Sequence, residues 1–494
     1  MAYDGFGAFV QSLENAGELK RIRQPIATEL EITELADREM KSPGGGKALL
    51  IEKPTVNGQV SPFPLAINTM GSHRRMAMSL GAPSMDHVAA QLASLIKAKP
   101  PAGFSEALKL LGTALELRHA RPNVTSNGRC QEVIHREADL ASAQGPCPTL
   151  LSLPILKCWP LDAGRFITLP CVVTRDPDTG ERNVGMYRIQ IFDGRTTGMH
   201  WQLQKVAARH GRRYYETGEP MPVSIFLGGD PVFTFCATAP LPDGLDEFLL
   251  AGYLRKKSVQ LVKCVSYDLE VPADADFVIE GYVDPKEALR LEGPFGDHTG
   301  YYSLPDLYPA FHITAITHRK EAIYPATIVG HPPMEDFYIG TASVKLFLPV
   351  LKMNFPELVD LALPAEGVFH NLIFASIKKS YPMQAYKIMH GLWGMGQMMF
   401  TKYIVVVDED VDVHNTSEVL FRLCATTDPQ RDAVFTRGPA DVLDHATTEL
   451  AVGSKLGIDA TRKLPGEGFK REWPPLIKMD AGVKSKIDQM GISR

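Results

Sequence analysis

Residues 291–303 read LEGPFGDHTGYYS and set two carboxylates, Glu292 and Asp297, close to His298 and two tyrosines. Gly293, Pro294 and Gly296 rule out a regular helix or a central strand, because ordered Gly loses entropy and Pro lacks a backbone donor. The segment is a shaped loop. Acids on such a loop, flanked by apolar Leu291 and Phe295, can be desolvated unequally, so that one keeps a proton near neutral pH and acts as a general acid. The alternative is a glycine turn whose Asp caps local N–H groups, and the pattern by itself supports both equally.

The surrounding chain has 494 residues, 45% of them hydrophobic, enough for two or three cores. A formal net charge of -5 offers no electrostatic case for nucleic acid. No apolar run approaches the roughly 20 residues that span a bilayer. The start MAYDGFGAF lacks the basic and apolar regions of a signal peptide, so a cytoplasmic location is expected. The seven cysteines are scattered and form no CxxC pair, which points to reduced thiols.

Phe6, Phe9, Val10 and Leu13 have helical spacing with Gly17 as a stop, and a second helix is expected over 29–40. The runs at 48–52 and 64–68 read as buried strands, and 85–97 and 105–118 as helices. This is a small α/β lobe. Past Ile134, proline-rich connections (Pro146, Pro148, Pro154, Pro160) lead to β-type segments at 166–174, 183–192, 223–229, 259–264, 277–283 and 309–319, with DPDTGE (176–181) as a hairpin turn. A β-rich domain, a barrel, is expected here. Helical patterns at 341–353 and 383–400 alternate with strands at 371–377 and 403–410, which predicts a C-terminal α/β domain with a partly parallel sheet. Residues 481–492 read as a helix that docks on a partner subunit.

Asn183, Gly185 and Tyr187 share one strand face, and parity puts Arg188 on the other unless Gly185 marks a bulge or the site includes the strand end. Read singly, Arg188 is a surface or salt-bridging arginine, His200 a satisfied barrel histidine, and Glu247 a helix N-terminal acid like Asp243 and Asp246. Together Asn183, His200 and Glu247 offer an amide oxygen, an imidazole nitrogen and a carboxylate, a set that suits Mg or Mn.

The order NxGxYR (183–188), HW (200–201), Glu247 before an apolar helix and EGPFGDHTGYY (292–302) resembles the UbiD-type decarboxylases. The likeness extends to GELKRI, LEITELADR, CWPLDAG (158–164), YIVVVDEDVDV (403–413), GSKLGIDATRK and REWPP, nearly the whole chain. It implies an α+β and α/β multidomain fold: an N-terminal α/β lobe (1–125), a central split β-barrel that binds prenylated FMN (126–320), and a C-terminal α/β domain with an oligomerising C-terminal helix (321–494).

By the same resemblance, Asn183, His200 and Glu247 hold Mn2+ or another divalent metal on the cofactor phosphate, with K+ as a further candidate. Met186, Tyr187, Arg188, Trp201 and Gln202 line the flavin. Arg188, Glu292 and Asp297 form the catalytic set, with Asp297 as proton donor and Glu292 as its tuning partner; His298 is a supporting residue. The family's second acid is Glu in some members and Asp here, and His200 stands where enzymes of ubiquinone synthesis can carry Arg.

The implied activity is non-oxidative decarboxylation of an aromatic acid. A prenylated hydroxyaryl acid of ubiquinone or menaquinone synthesis is the first choice, and a small hydroxybenzoate or heteroaryl acid the second. GHPPMEDFYIG (330–340), with His331, and the helix carrying Met383, Met389, Met395, Met398 and Met399 would shape the substrate pocket, although methionines so spaced more often pack a core. The implied partners are a flavin prenyltransferase and further copies of this chain, as a dimer or hexamer, with any membrane contact peripheral and on the inner face. A flavin-binding module without decarboxylase activity is the reading from another class.

Overall fold

The computed structural model describes residues 2–96, 119–142, 149–202, 205–242, 244–368 and 370–491. The helix expected at 105–118 lies outside these residues, as do Pro146, Cys147, Pro148 and Asp243. The mixed α/β multidomain architecture is as expected, and no helix of the described residues is long and apolar enough to cross a membrane.

The opening helix, Phe6–Asn15, buries Phe6, Phe9, Val10 and Leu13, the four residues whose spacing predicted it. It is followed by a strand the hydrophobic pattern did not reveal. Leu19–Ala27 is charged and half-exposed, yet pairs in parallel with Ala48–Val56, whose apolar run supplies the buried side. That sheet continues through Leu65–Ile67 to Tyr324–Ala326, so a segment far down the chain completes the N-terminal lobe.

The central sheet is antiparallel and seven-stranded. In spatial order it runs Thr196–Gly198, Ala310–His318, Phe277–Val283, Met221–Leu227, Cys171–Arg175, Arg182–Met186, with Val133–Arg136 also paired to Ala310–His318. Among the described residues it does not close into a barrel. Residues 259–264 were expected in this sheet. Instead Gln260–Lys263 joins a separate three-stranded sheet with Glu270–Pro272 and Asn123–Thr125. The predicted strand 183–192 is broken as well: Arg182–Met186 ends, and Ile189–Gln190 pairs elsewhere with Phe166–Ile167.

One apolar core runs from the N-terminal lobe (Ile32, Ile51, Ile67) into the central sheet (Val172, Ile225, Phe277), so these two parts share a core. The helix Glu335–Asn354 then links this body to the C-terminal domain, because Ile339, Ala342 and Leu346 pack on the far face of the central sheet while Val344 and Leu351 enter the C-terminal core. The C-terminal sheet is partly parallel, in the order Leu358–Ala362, Leu372–Ile377, Tyr403–Asp408, Val452–Asp459, Ala433–Pro439. Met389, Met395 and Met398 pack in or against that core. The predicted helix 383–400 is Gln384–Trp393 followed by the tighter turn Gly396–Phe400.

Phe277–Val283 and Ala310–His318 slip register at Glu280 and Gly281, where a Cβ on Gly281 would run into the His312 carbonyl. The glycine therefore permits a close backbone approach at the centre of the sheet. Gly281→Ala is expected to destabilise by about 3 kcal/mol, seen as a lower melting temperature by circular dichroism, whereas Gly180→Ala in the open hairpin turn meets no neighbour and carries only the strain of its φ of +75°, about 1 kcal/mol.

Candidate functional site

The strand end settles the parity problem of Arg188. Arg182–Met186 pairs with Cys171–Arg175 in continuous register, so Gly185 is not a bulge, and Tyr187 and Arg188 follow after the strand stops. Without a Cβ, Gly185 lets the Tyr187 ring fold back across it. The chain then turns Arg188 into the protein.

The loop at 291–303 receives it. Arg188 Nε and Nη2 donate to Glu292 Oε1 and Oε2 at 2.8 and 2.9 Å, a bidentate pair, while Nη1 donates to Asp297 Oδ2. Nη2 also donates to Ser303 Oγ, and the guanidinium lies over the Phe295 ring, 5.0 Å from its centre. The flanking expectation is half right. Phe295 is buried, but Leu291 is 61% exposed, because Arg290–Glu292 forms an outer hairpin with Asp306–Tyr308 and alternation turns Leu291 outward while Glu292 points in.

Residues not singled out as site residues hold the loop in place. Asp162, from CWPLDAG, accepts from Gly296 N at 2.7 Å with one oxygen and from Cys158 and Trp159 N with the other. Gln190 Oε1 accepts from Gly293 N, and a Cβ at Gly296 would strike the Trp159 ring. An acid 134 residues before its partner in the loop gives no local sequence signal for this contact.

The charge state differs from the expectation that one acid keeps a proton near neutral pH. Burial would raise the Glu292 carboxyl, but hydrogen bonds from His200 and Arg188 outweigh it and hold it down at about 2. Burial also opposes ionisation of Asp297, and Arg188 and His298 hold it well below the usual carboxylate range. Both acids are ionised here. Burial lowers His200, and Arg188 adds to this, so the imidazole is neutral. His298 goes the other way: against burial, its hydrogen bond to Asp297 at 3.1 Å and the charge of Asp441 push it up to about 9.

Asp246 caps the helix Glu247–Arg255 by accepting from Phe248 N, which leaves Glu247 to accept from Val184 N at 2.8 Å, beside Asn183. Burial pushes the Glu247 carboxyl up to about 7. The contacts of His200 run to Glu292 (Nδ1 to Oε2, 3.3 Å) and to the Tyr308 ring. Its buried Nε2, like the buried Nε1 of Trp201, has no hydrogen-bond partner among the described residues. An unpaired buried polar atom costs about 1–3 kcal/mol. A neutral histidine with Nδ1 on a carboxylate and a free Nε2 is the usual form of a metal ligand, so the chemistry of His200 fits a metal. Met186 ends its strand half-buried, and Gln202 follows buried Trp201.

The fold and this buried Arg–carboxylate site define a carboxy-lyase of the UbiD type. The chain belongs to the UbiD family: its 3-octaprenyl-4-hydroxybenzoate carboxy-lyase models match at residues 10–95 (N-terminal domain), 123–332 (Rift-related domain) and 337–460 (C-terminal domain). A protein of Archaeoglobus fulgidus is 46% identical over 490 residues, 99% of this chain and 98% of that one. The vanillic acid decarboxylase of Sedimentibacter hydroxybenzoicus in its closed form is similar in structure with a TM-score of 0.83, 25% identity and full coverage of both chains. The UbiD-class enzyme HmfF of Pelotomaculum thermopropionicum, solved in complex with FMN, gives 0.76 at 25% identity over 95% of this chain and 97% of that one.

Arg188→Met would leave two buried carboxylates without their counter-ion, a loss of about 3–5 kcal/mol near neutral pH. In the variant both acids would titrate above their unfolded values, so stability should recover as the pH falls and they take up protons. In the wild type the Glu292 contribution is present above the unfolded value and lost as the pH falls through about 2, so this acid gives no such recovery, and groups such as Glu247 and His298, raised in both proteins, cancel in the difference between them. Thermal melts of both proteins at about pH 7.5 and 5 check the sign.

Proposed function

We propose that this chain is a non-oxidative, prenylated-FMN-dependent decarboxylase of an aromatic hydroxy acid. The observation that carries the reading is the buried Arg188 held between Glu292 and Asp297, beside a histidine prepared to bind a metal. A solved complex of HmfF with prenylated FMN supports the choice of cofactor. Asn183, His200 and Glu247 would hold Mn2+ or a similar divalent ion on the cofactor phosphate, with K+ as a second ion, and Met186, Tyr187, Trp201 and Gln202 would line the flavin. When bound, the prenylated flavin supplies the electron sink that loss of CO2 from an aryl carboxylate otherwise lacks.

The protein's part is electrostatic. A substrate carboxylate competes for Arg188 with Asp297, and an Asp297 deprived of its guanidinium in a buried site is pushed towards its neutral form. Asp297 then takes up a proton from solvent and delivers it to the carbon left by CO2, while Glu292, still paired to Arg188 and His200, holds the arginine in register. The ionised Asp297 of the substrate-free site is the resting state of this cycle.

The family description favours a prenylated hydroxyaryl acid of quinone synthesis as substrate. The vanillic acid decarboxylase favours a small hydroxybenzoate as the second reading. CO2 release from a panel of both kinds of acid separates them. A flavin prenyltransferase would supply the cofactor. Exposed Ile477, Met479, Val483, Ile487 and Met490 on the tail and its helix Ala481–Gln489 suit docking on a second copy in a homo-oligomer.

The test uses holo-enzyme co-expressed with a flavin prenyltransferase, with cofactor mass and absorption as the first readout. Asp297→Asn is expected to retain the cofactor and lose decarboxylation and solvent-deuterium exchange by about a hundred-fold or more. Wild-type rates in that variant, or a preparation that takes up ordinary FMN alone, would sink the proposal.

A further inference from the structure

A second group of metal-binding side chains stands on the other side of Asp297. His298 belongs to the acid loop, His370 precedes the strand Leu372–Ile377, and Asp441 follows the strand Ala433–Pro439, so the group joins the central and C-terminal domains. One ligand atom from each lies within 4.8 Å of the others. His370 Nε2 is 3.2 Å from Asp441 Oδ2, and His298 Nε2 is 3.9 Å from the same oxygen, too far for a direct hydrogen bond. Ligands about 2.1 Å from a tetrahedral ion stand about 3.4 Å apart. The observed separations bracket that spacing.

The neighbours orient these atoms. His298 Nδ1 meets Asp297 Oδ1 at 3.1 Å, which turns Nε2 towards Asp441 and makes Asp297 the outer carboxylate of a carboxylate–histidine–metal arrangement. Asp441 Oδ1 accepts from Leu443 N, which leaves Oδ2 for the two imidazoles. Asp297, Asp336 and Asp441 all bias His298 towards positive charge, with Lys205 as a cation facing His370 and Asp441. The three side chains are 13–18% exposed, which leaves an ion a way in.

We propose that His298 Nε2, His370 Nε2 and Asp441 Oδ2 form a site for a borderline divalent transition metal, of the Zn2+ or Co2+ kind, that ties the Asp297 loop to the C-terminal domain. Two imidazoles and one carboxylate with open positions suit such ions better than Mg2+ or Ca2+, which prefer oxygen. On binding, the ion replaces the Nε2 proton of His298, which passes to solvent. The site shares no ligand with Asn183, His200 and Glu247, and it requires neither flavin nor substrate.

The test is Co2+ titration of the full-length protein after chelator treatment, followed by the visible absorption of bound Co2+ and by calorimetry. Wild type and Glu247→Gln should both take up the absorbing equivalent. His370→Gln and Asp441→Asn should each bind it about 100-fold more weakly, with circular dichroism confirming the fold and either variant sufficing if the other does not fold. Undiminished uptake in a folded His370→Gln or Asp441→Asn protein, loss of the band in Glu247→Gln, or no absorbing equivalent in the wild type each overturns the proposal. Because the assay needs no decarboxylation, these outcomes are separate from the fate of the proposed activity.

Discussion

Arg188 is 9% exposed and sits between carboxylates that follow it by 104 and 109 residues. Removing a guanidinium and two carboxylates from water costs several kcal/mol per ion, and that cost is offset only if the charges meet in good geometry with their remaining donors and acceptors satisfied. Much of the surrounding backbone serves this condition. The strand stops at Met186, the loop turns at glycine, and Asp162, Gln190 and Ser303 take up loop N–H groups and a fourth guanidinium proton. A site built this way is rigid where it holds the arginine.

Two histidines flank the acids, and their environments drive them apart. His200 is on the Glu292 side with Arg188 close by, so burial and the neighbouring positive charge keep it neutral, with a nitrogen to spare. His298 is on the Asp297 side, facing Asp441 and Asp336 as well, and three carboxylates favour its cation despite burial. One residue type thus provides a neutral ligand on one flank and a positive charge on the other. The proposed acid stands between two cations, and its proton affinity depends on what displaces them.

The arrangement of cores decides where the site can be built. The N-terminal lobe and central sheet share one apolar core, whereas the C-terminal sheet has cores of its own on its two sides. Glu335–Asn354 is the rod between them, and its first turn places half-buried Asp336 near His298. The acid loop therefore lies where the second body meets the first. His298 answers to Asp441 across that boundary as well as to Asp297 beside it.

Local chemistry was legible in the sequence. Glycine and proline marked 291–303 as a loop, apolar spacing marked the first helix and the Ala48–Val56 strand, and residue types suggested which side chains could carry charge or hold a metal. The polar strand Leu19–Ala27 was hidden because its neighbours, not its own side chains, supply the burial. Asp162, His370 and Asp441 were hidden because a lone acid or imidazole has no periodic signature. Protonation was misjudged for a related reason: burial can be guessed from nearby apolar residues, but the arginine that overrides it arrives from a hundred residues away. The sequence by itself determined the elements and the reactive groups, since these follow from backbone freedom and side-chain chemistry over a few residues. Tertiary structure alone decided which charges meet, because a pKa and a ligand set depend on distances of a few ångströms that only the folded chain brings about.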